Sequence, residues 1–332
     1  MAIAWIVSFL AAAIPTAIYV ALIRWCDRYE KEPSGLLAAA FLWGAAPAIL
    51  LALGGESLLD PSSGGAVTDL ATDIISSSLV APVVEEIAKG VALLLILWLF
   101  RDEFDGVLDG IIYGALVGFG FGMTEDFFYL ADQFMTEGWA GFGMLAFLRT
   151  IVFGLNHAFF TAFAGAGLGY ARVARSKIAK VIVPILGLLA GIGFHALHNL
   201  GATLTGASLL AIGISLVSNA GGVLIIVLIL VLSLRQEKGW LTEELRPEIG
   251  VLLSVDEYNT ALSPRLRMKA RAQAARKRGL KGGRAVRQFY HLLSELAIRL
   301  RRYRQGRASA KDLKAIPKLR EKIALLRPQI TL

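Results

Sequence analysis

Seven apolar stretches, at roughly 3–23, 35–54, 75–100, 106–130, 145–171, 181–204 and 207–234, run through the first part of this 332-residue chain. Each is at least 20 residues long, enough to cross ~30 Å of hydrocarbon as a helix. A bilayer offers the backbone no water, so such a span must satisfy its own hydrogen bonds. The expected fold is all-α: a polytopic membrane helical bundle of about seven transmembrane helices. With 56% of its residues hydrophobic, the chain does not fit a soluble globular enzyme. The single cysteine, Cys26, excludes an internal disulfide and leaves the redox compartment open.

Charge divides the chain in two. Residues 1–234 carry a net charge of −7 and residues 235–332 a net charge of +15, which together give the +8 of the whole. A transmembrane domain over 1–234 and a basic helical tail over 235–332 are expected. The loops between spans alternate in Lys and Arg. Arg24, Arg28 and Lys31 follow the first span, residues 55–74 have none, and Arg172, Arg175, Lys177 and Lys180 follow the fifth. Basic loops stay cytoplasmic, so the N-terminus is expected outside and the tail inside. Residues 1–23 lack a basic leader segment and read as a retained anchor. In the tail, 255–277 and 285–304 have helical apolar spacing around a breaker at 279–283. Lys and Arg at this density beside a membrane suit anionic headgroups. No aromatic interleaving or fold signature supports a nucleic-acid partner.

Small residues recur every four positions: Gly106, Gly110, Gly114, Gly118 and Gly122 in the fourth span, Thr161, Gly165 and Gly169 in the fifth, Gly187 and Gly191 in the sixth. Such stripes let helices approach closely in lipid. Polar residues continue the stripes. His157 precedes Thr161 by four, and His195 and Asn199 follow Gly191 by four and eight. Glu125 comes three after Gly122. These side chains should face the packed interior.

Ionisable groups at membrane depth cost at least ~2.5–3.5 kcal/mol each. The third span holds Glu85, Glu86 and Lys89, the fourth Glu125 and Asp126, the fifth Asn156 and His157, the sixth His195, His198 and Asn199. At ~1.5 Å per residue, Glu86, His157 and His195 share a depth in the outer half of the membrane, with Glu125 shallower. One site can therefore collect them. Neighbours on a helix point about 100° apart, so Glu85 and Glu86 should differ in task. Lys89 can pair with either. The other, poorly solvated, suits general-base work. His157 and His195 can serve as metal ligands, as water-orienting groups or as oxyanion donors, and Asn199 can donate to an oxyanion. Asp126, Asn156 and His198 each neighbour a better-placed residue and read as supporting or structural.

The residues 85–89 (Glu-Glu-Ile-Ala-Lys), Phe121 to Glu125, Asn156-His157 and His195 to Asn199 form an EExxK, FxxxE, NH and HxxxN set. With the loop 27–33 and with Asp109-Gly110 and Tyr113-Gly114, the set resembles the PrsW family of intramembrane proteases, distant relatives of CAAX prenyl and bacteriocin-processing proteases. The resemblance covers about 24–204. In the CAAX relatives the second motif ends in His, where Glu125 stands here. The resemblance implies hydrolysis of peptide bonds in membrane-anchored substrate proteins, such as anti-sigma factors, at their outer side, in a mainly prokaryotic family. It implies Glu86, or else Glu85, as the base, His157 holding the water, and His195 with Asn199 at the oxyanion. Where a metal is used, Zn²⁺ held by His157, His195 and Glu86 is the natural choice. No HExxH occurs, and acid–base work by these groups needs no metal, which favours a metal-free site. The rivals are a proton-coupled transporter, for which no internal repeat is found, and an inactive signalling or binding protein.

Overall fold

A computed structural model describes residues 2–29, 31–59, 69–205, 208 and 210–330. Its regular elements are helices, with no strand among the described residues. They are α1 (Ala2–Cys26), α2 (Ser34–Trp43), α3 (Ile49–Leu59), α4 (Leu70–Ile75), α5 (Ala81–Leu99), α6 (Val107–Phe147), α7 (Asn156–Val173), α8 (Ala179–Leu204), α9 (Leu210–Leu245), α10 (Val255–Ala261), α11 (Pro264–Arg304) and α12 (Ala310–Ile330). Among the described residues, five helical stretches are long and apolar enough to cross a membrane: Ala2–Cys26, Ser34–Leu59, Val107–Val173, Ala179–Leu204 and Leu210–Glu248. The sequence divides into seven. The third of those seven, 75–100, holds a π-helical turn (Ser76–Val80) and α5, which carries Glu85, Glu86 and Lys89. The fourth and fifth share the stretch Val107–Val173, which at ~1.5 Å per residue is about three times the hydrocarbon thickness.

That stretch also corrects a boundary. The fifth apolar run, drawn at 145–171, is not one helix. The chain kinks at Gly138, whose φ of 65° suits a residue without Cβ. It then winds through a π-helical turn at Leu148–Val152 and starts α7 only at Asn156. His157 is therefore the second residue of a helix rather than the middle of one.

The chain falls into two compact units. In the first, residues 1–26 and 32–230, α6 is the central helix, buried without interruption from Gly110 to Phe121. Its glycine stripe meets α7 antiparallel and backbone to backbone. A Cβ on Gly106's partner Gly169, or on Gly110, Gly114 or Gly118, would collide with the main chain at Gly106, Gly165, Thr161 or His157 respectively. The α7–α8 contact repeats the device, with Gly187 against the Phe163 carbonyl and Gly191 against that of Phe160. These two seams set the register that brings His157 and His195 together.

Among the described residues, three π-helical turns, Gly44–Ala48, Ser76–Val80 and Leu148–Val152, interrupt the spans. A π turn leaves carbonyls without their usual i+4 partner. Side chains from other helices take them up. Thr124 Oγ1 donates to Ala45 O at 2.8 Å, Asn199 Nδ2 to Ser77 O at 2.8 Å, Tyr19 Oη to Thr150 O at 2.9 Å, and Asn219 Nδ2 to Val152 O at 2.9 Å.

The second unit joins residues 231–332 with 27–31. Its core gathers Leu241, Leu245, Leu253, Phe289, Leu293 and Ile323, with Tyr29 from the early loop. The sequence's helix 255–277 is in fact two. α10 ends at Ala261, and Ser263 caps α11, whose first residue is Pro264. Proline has no N–H to continue the earlier helix but suits the first position of a new one. The expected breaker narrows to Gly279 (φ 66°), while Gly282 and Gly283 are helical and pack back against Ala274 and Ala275.

Candidate active site

The site starts on α5. Pro82 lies in its first turn and removes a donor where none is needed. Glu85, Glu86 and Lys89 follow, at 6%, 1% and 0% exposure. The Lys89 ammonium lies 2.6 Å from Glu86 Oε1 and 3.1 Å from Glu85 Oε2, so it pairs with both carboxylates rather than one. It also lies 3.1 Å from His157 Nδ1 and 3.9 Å from the centre of the Phe121 ring. A buried charge needs such a complement, since removing one partner of a buried pair costs about 3–5 kcal/mol.

The hydrogen-bond network assigns the imidazole protons. An ammonium only donates, so His157 Nδ1 accepts from Lys89. Its Nε2–H then donates to Glu125 Oε2 at 2.8 Å. Glu125 is held in turn by Arg149 Nη2 at 2.7 Å, and Arg149 Nε bonds Asp126 at 2.6 Å. A carboxylate only accepts, so His195 Nδ1–H donates to Glu86 Oε1 at 3.1 Å. That leaves His195 Nε2 with its lone pair, 3.9 Å from Glu85 Oε2. The ring is fixed from its face by Phe160, stacked at 4.5 Å, and lies edge-on to His157 at 5.1 Å. Glu86 Oε2 accepts from Thr161 Oγ1 at 2.9 Å. Both oxygens of Glu86 are thus engaged, whereas Glu85 bonds through Oε2.

A cavity of about 360 Å³ opens beside this cluster, with His157, His195, Glu125, Arg149, Asn156 and Asn199 on its wall. Glu85 and Glu86 are not on that wall. Among the residues expected at the site, Glu85, Glu86, His157 and His195 converge within 4.8 Å of one another, and Glu125 joins them through His157. Asn199 lines the cavity but commits one amide hydrogen to Ser77 O. His198 packs against Phe153 at 4.6 Å. The motif residues Asp109 and Tyr113 lie elsewhere. Asp109 accepts from the Asp105 and Gly106 amides at the start of α6, and Tyr113 Oη donates to Glu32. Sequence reasoning gave Arg149 no role at the site, and it placed Phe121 only in a motif and Thr161 only in a packing stripe. The available signal was a lone arginine inside the apolar run 145–171.

Glu85, Glu86, His157 and His195 form a candidate metal-binding cluster, and their donor types suit Zn²⁺. Lys89, however, already holds three of the four, and the second nitrogen of His157 is engaged by Glu125. A divalent ion placed among them would lie against an ammonium of like charge. With Lys89 in place the four side chains do not fit a metal ion.

A helical membrane bundle with carboxylates, imidazoles and a lysine buried against a polar cavity is built for acid–base chemistry within the membrane. Residues 32–233, well over half the chain, match the family model described as PrsW family intramembrane metalloprotease. The chain belongs to the PrsW family, and it is an integral membrane protease. No curated protein matches the chain, and no solved structure does.

Proposed function

We propose that this protease is an endopeptidase that hydrolyses peptide bonds of membrane-anchored substrate proteins without a metal, with Glu85 as base. The observation that carries this reading is the lone pair of His195 Nε2 facing Glu85 Oε2 across 3.9 Å. One water can donate to both at ordinary hydrogen-bond lengths. Glu85 takes a proton from that water as it attacks the scissile carbonyl and returns it to the leaving amine. His195, held through Nδ1 by Glu86, keeps the water's second hydrogen aligned. The sequence favoured Glu86 as base, but the engagement of both its oxygens suits it better to orienting His195. The second amide hydrogen of Asn199 is the candidate oxyanion donor. Lys89 supplies the positive charge that a metal supplies elsewhere.

The substrate class follows from the setting: single-span proteins with a cleavable segment near the outer membrane edge, as in regulated release of anti-sigma-like factors. The membrane is the prokaryotic cytoplasmic membrane, with the N-terminus outside and the tail inside. Arg271, Arg276, Lys277, Lys281 and Arg284 are exposed around the α11 kink, a polybasic segment suited to anionic headgroups.

The test compares wild type, Glu85→Gln and Glu86→Gln in matched cells lacking the native protein, with clipped single-span proteins read by mass spectrometry. Both substitutions should lower clipping at least ~100-fold, the usual range for losing general-base catalysis or its positioning. Clipping that survives both would sink the reading.

A further inference from the structure

Asn156 is a first-turn residue of α7, next to His157, and only 3% of it is exposed. Neither Oδ1 nor Nδ2 of its side chain has a hydrogen-bond partner, yet the residue lies on the cavity wall. A buried amide left unpaired costs about 1–3 kcal/mol, so packing alone does not explain it. Across the same cavity, His198 Nδ1 on α8 is likewise buried without a partner. The two charged or titratable neighbours of Asn156 on this wall are already committed. Arg149 is committed to Glu125 and Asp126, and the imidazole of His157 to Lys89 and Glu125.

The chemistry of the bare group identifies its ligand. A primary amide presents one acceptor and two donors side by side. A carboxylate or phosphate would leave Oδ1 unpaired, and a cation would leave Nδ2 unpaired. A residue in an extended segment points its own N–H and C=O out side by side along one edge, and these answer both. Extended segments keep both free, whereas a helical substrate has already used them.

We propose that Asn156 binds the substrate main chain, exchanging two hydrogen bonds with the N–H and C=O of one residue in an extended segment drawn into the cavity next to the scissile bond. This rests on the protease reading and adds that the substrate must unwind locally to be cut.

The test uses the full-length chain in detergent, with Glu85→Gln to block turnover. The probe is a fluorescein-labelled synthetic peptide with an apolar span of about 20 residues and an extended polar flank. A matching series carries one N-methylated backbone amide at successive positions. Adding Asn156→Ala should weaken binding of the plain peptide roughly tenfold or more, as two neutral hydrogen bonds imply. At one position N-methylation should weaken binding to the parent and cost nothing further in the Asn156→Ala chain, the non-additivity of a direct contact. The thermal midpoint should not fall with Asn156→Ala, because no bond within the protein is lost. Equal binding by both chains, additive losses at every position, or a midpoint several degrees lower would each overturn the inference and leave the protease reading standing. A parent chain that binds no peptide of the series would overturn both.

Discussion

The ammonium of Lys89 is fully buried, and two carboxylates, one imidazole nitrogen and the face of Phe121 surround it. Those groups are also the ones a divalent ion would use, so lysine and metal compete for one place. Lys89→Met keeps the length of the side chain and removes the charge. It should abolish proteolysis and leave two carboxylates and a freed His157 nitrogen, a set suited to Zn²⁺. Elemental analysis of purified chains should find about one zinc per Lys89→Met chain when zinc is supplied. Active wild type should hold far less than one metal per chain and keep its activity in chelator. A stoichiometric metal in wild type, lost together with activity, would refute this. The spacing of the EExxK motif made the Lys–Glu contact legible, since residues three and four apart share a helix face. The remaining partners come from α6 and α7, and no local spacing reports a contact of that separation. For the same reason the sequence could collect Glu85, Glu86, Glu125, His157 and His195 by depth but could not say which carboxylate was engaged twice.

The positions of the two imidazoles depend on how closely three helices approach. Gly118 is the clearest case, because a Cβ there would run into the His157 carbonyl. Gly118→Ala should therefore part α6 from α7 at the site. Overpacking of this kind costs about 1–3 kcal/mol, and a displacement of ~1 Å at a reacting group can cost ~100-fold in rate. Clipping should fall by that order and the thermal midpoint should drop in detergent. Gly193→Ala on α8, where a Cβ meets nothing within 4 Å, should change neither and serves as the control. The four-residue repeat that predicts this seam was plain in the sequence. The π-helical turns were not, because their carbonyls are satisfied by Thr124, Asn199, Tyr19 and Asn219 from distant segments. The late start of α7 follows from the same kind of long-range support, and it is why an unbroken apolar run misled about where His157 lies in its helix.

For the molecule as a whole, the question is which side of the membrane the cavity faces. Its wall includes Ser77, near the start of its span, and Thr203, near the end of α8. Both lie at the end of the first unit where 55–74 and the α8–α9 connection emerge. Neither connection contains Lys or Arg, whereas Arg172, Arg175, Lys177 and Lys180 mark the opposite end. Basic residues are retained on the cytoplasmic side, so the cavity should open toward the outside. Its contact with the outer part of a substrate then follows from charge placement alone. Glu137 and Lys177 are exposed residues at the two ends and make the prediction direct. After Cys26→Ser removes the native thiol, a membrane-impermeant maleimide applied to intact cells should label Glu137→Cys and spare Lys177→Cys until the cells are opened. The reverse pattern would place the cavity on the cytoplasmic face. The search for substrates would then move from outward-facing domains to inward-facing ones, and the tail would lie outside, away from the anionic leaflet its charge suits.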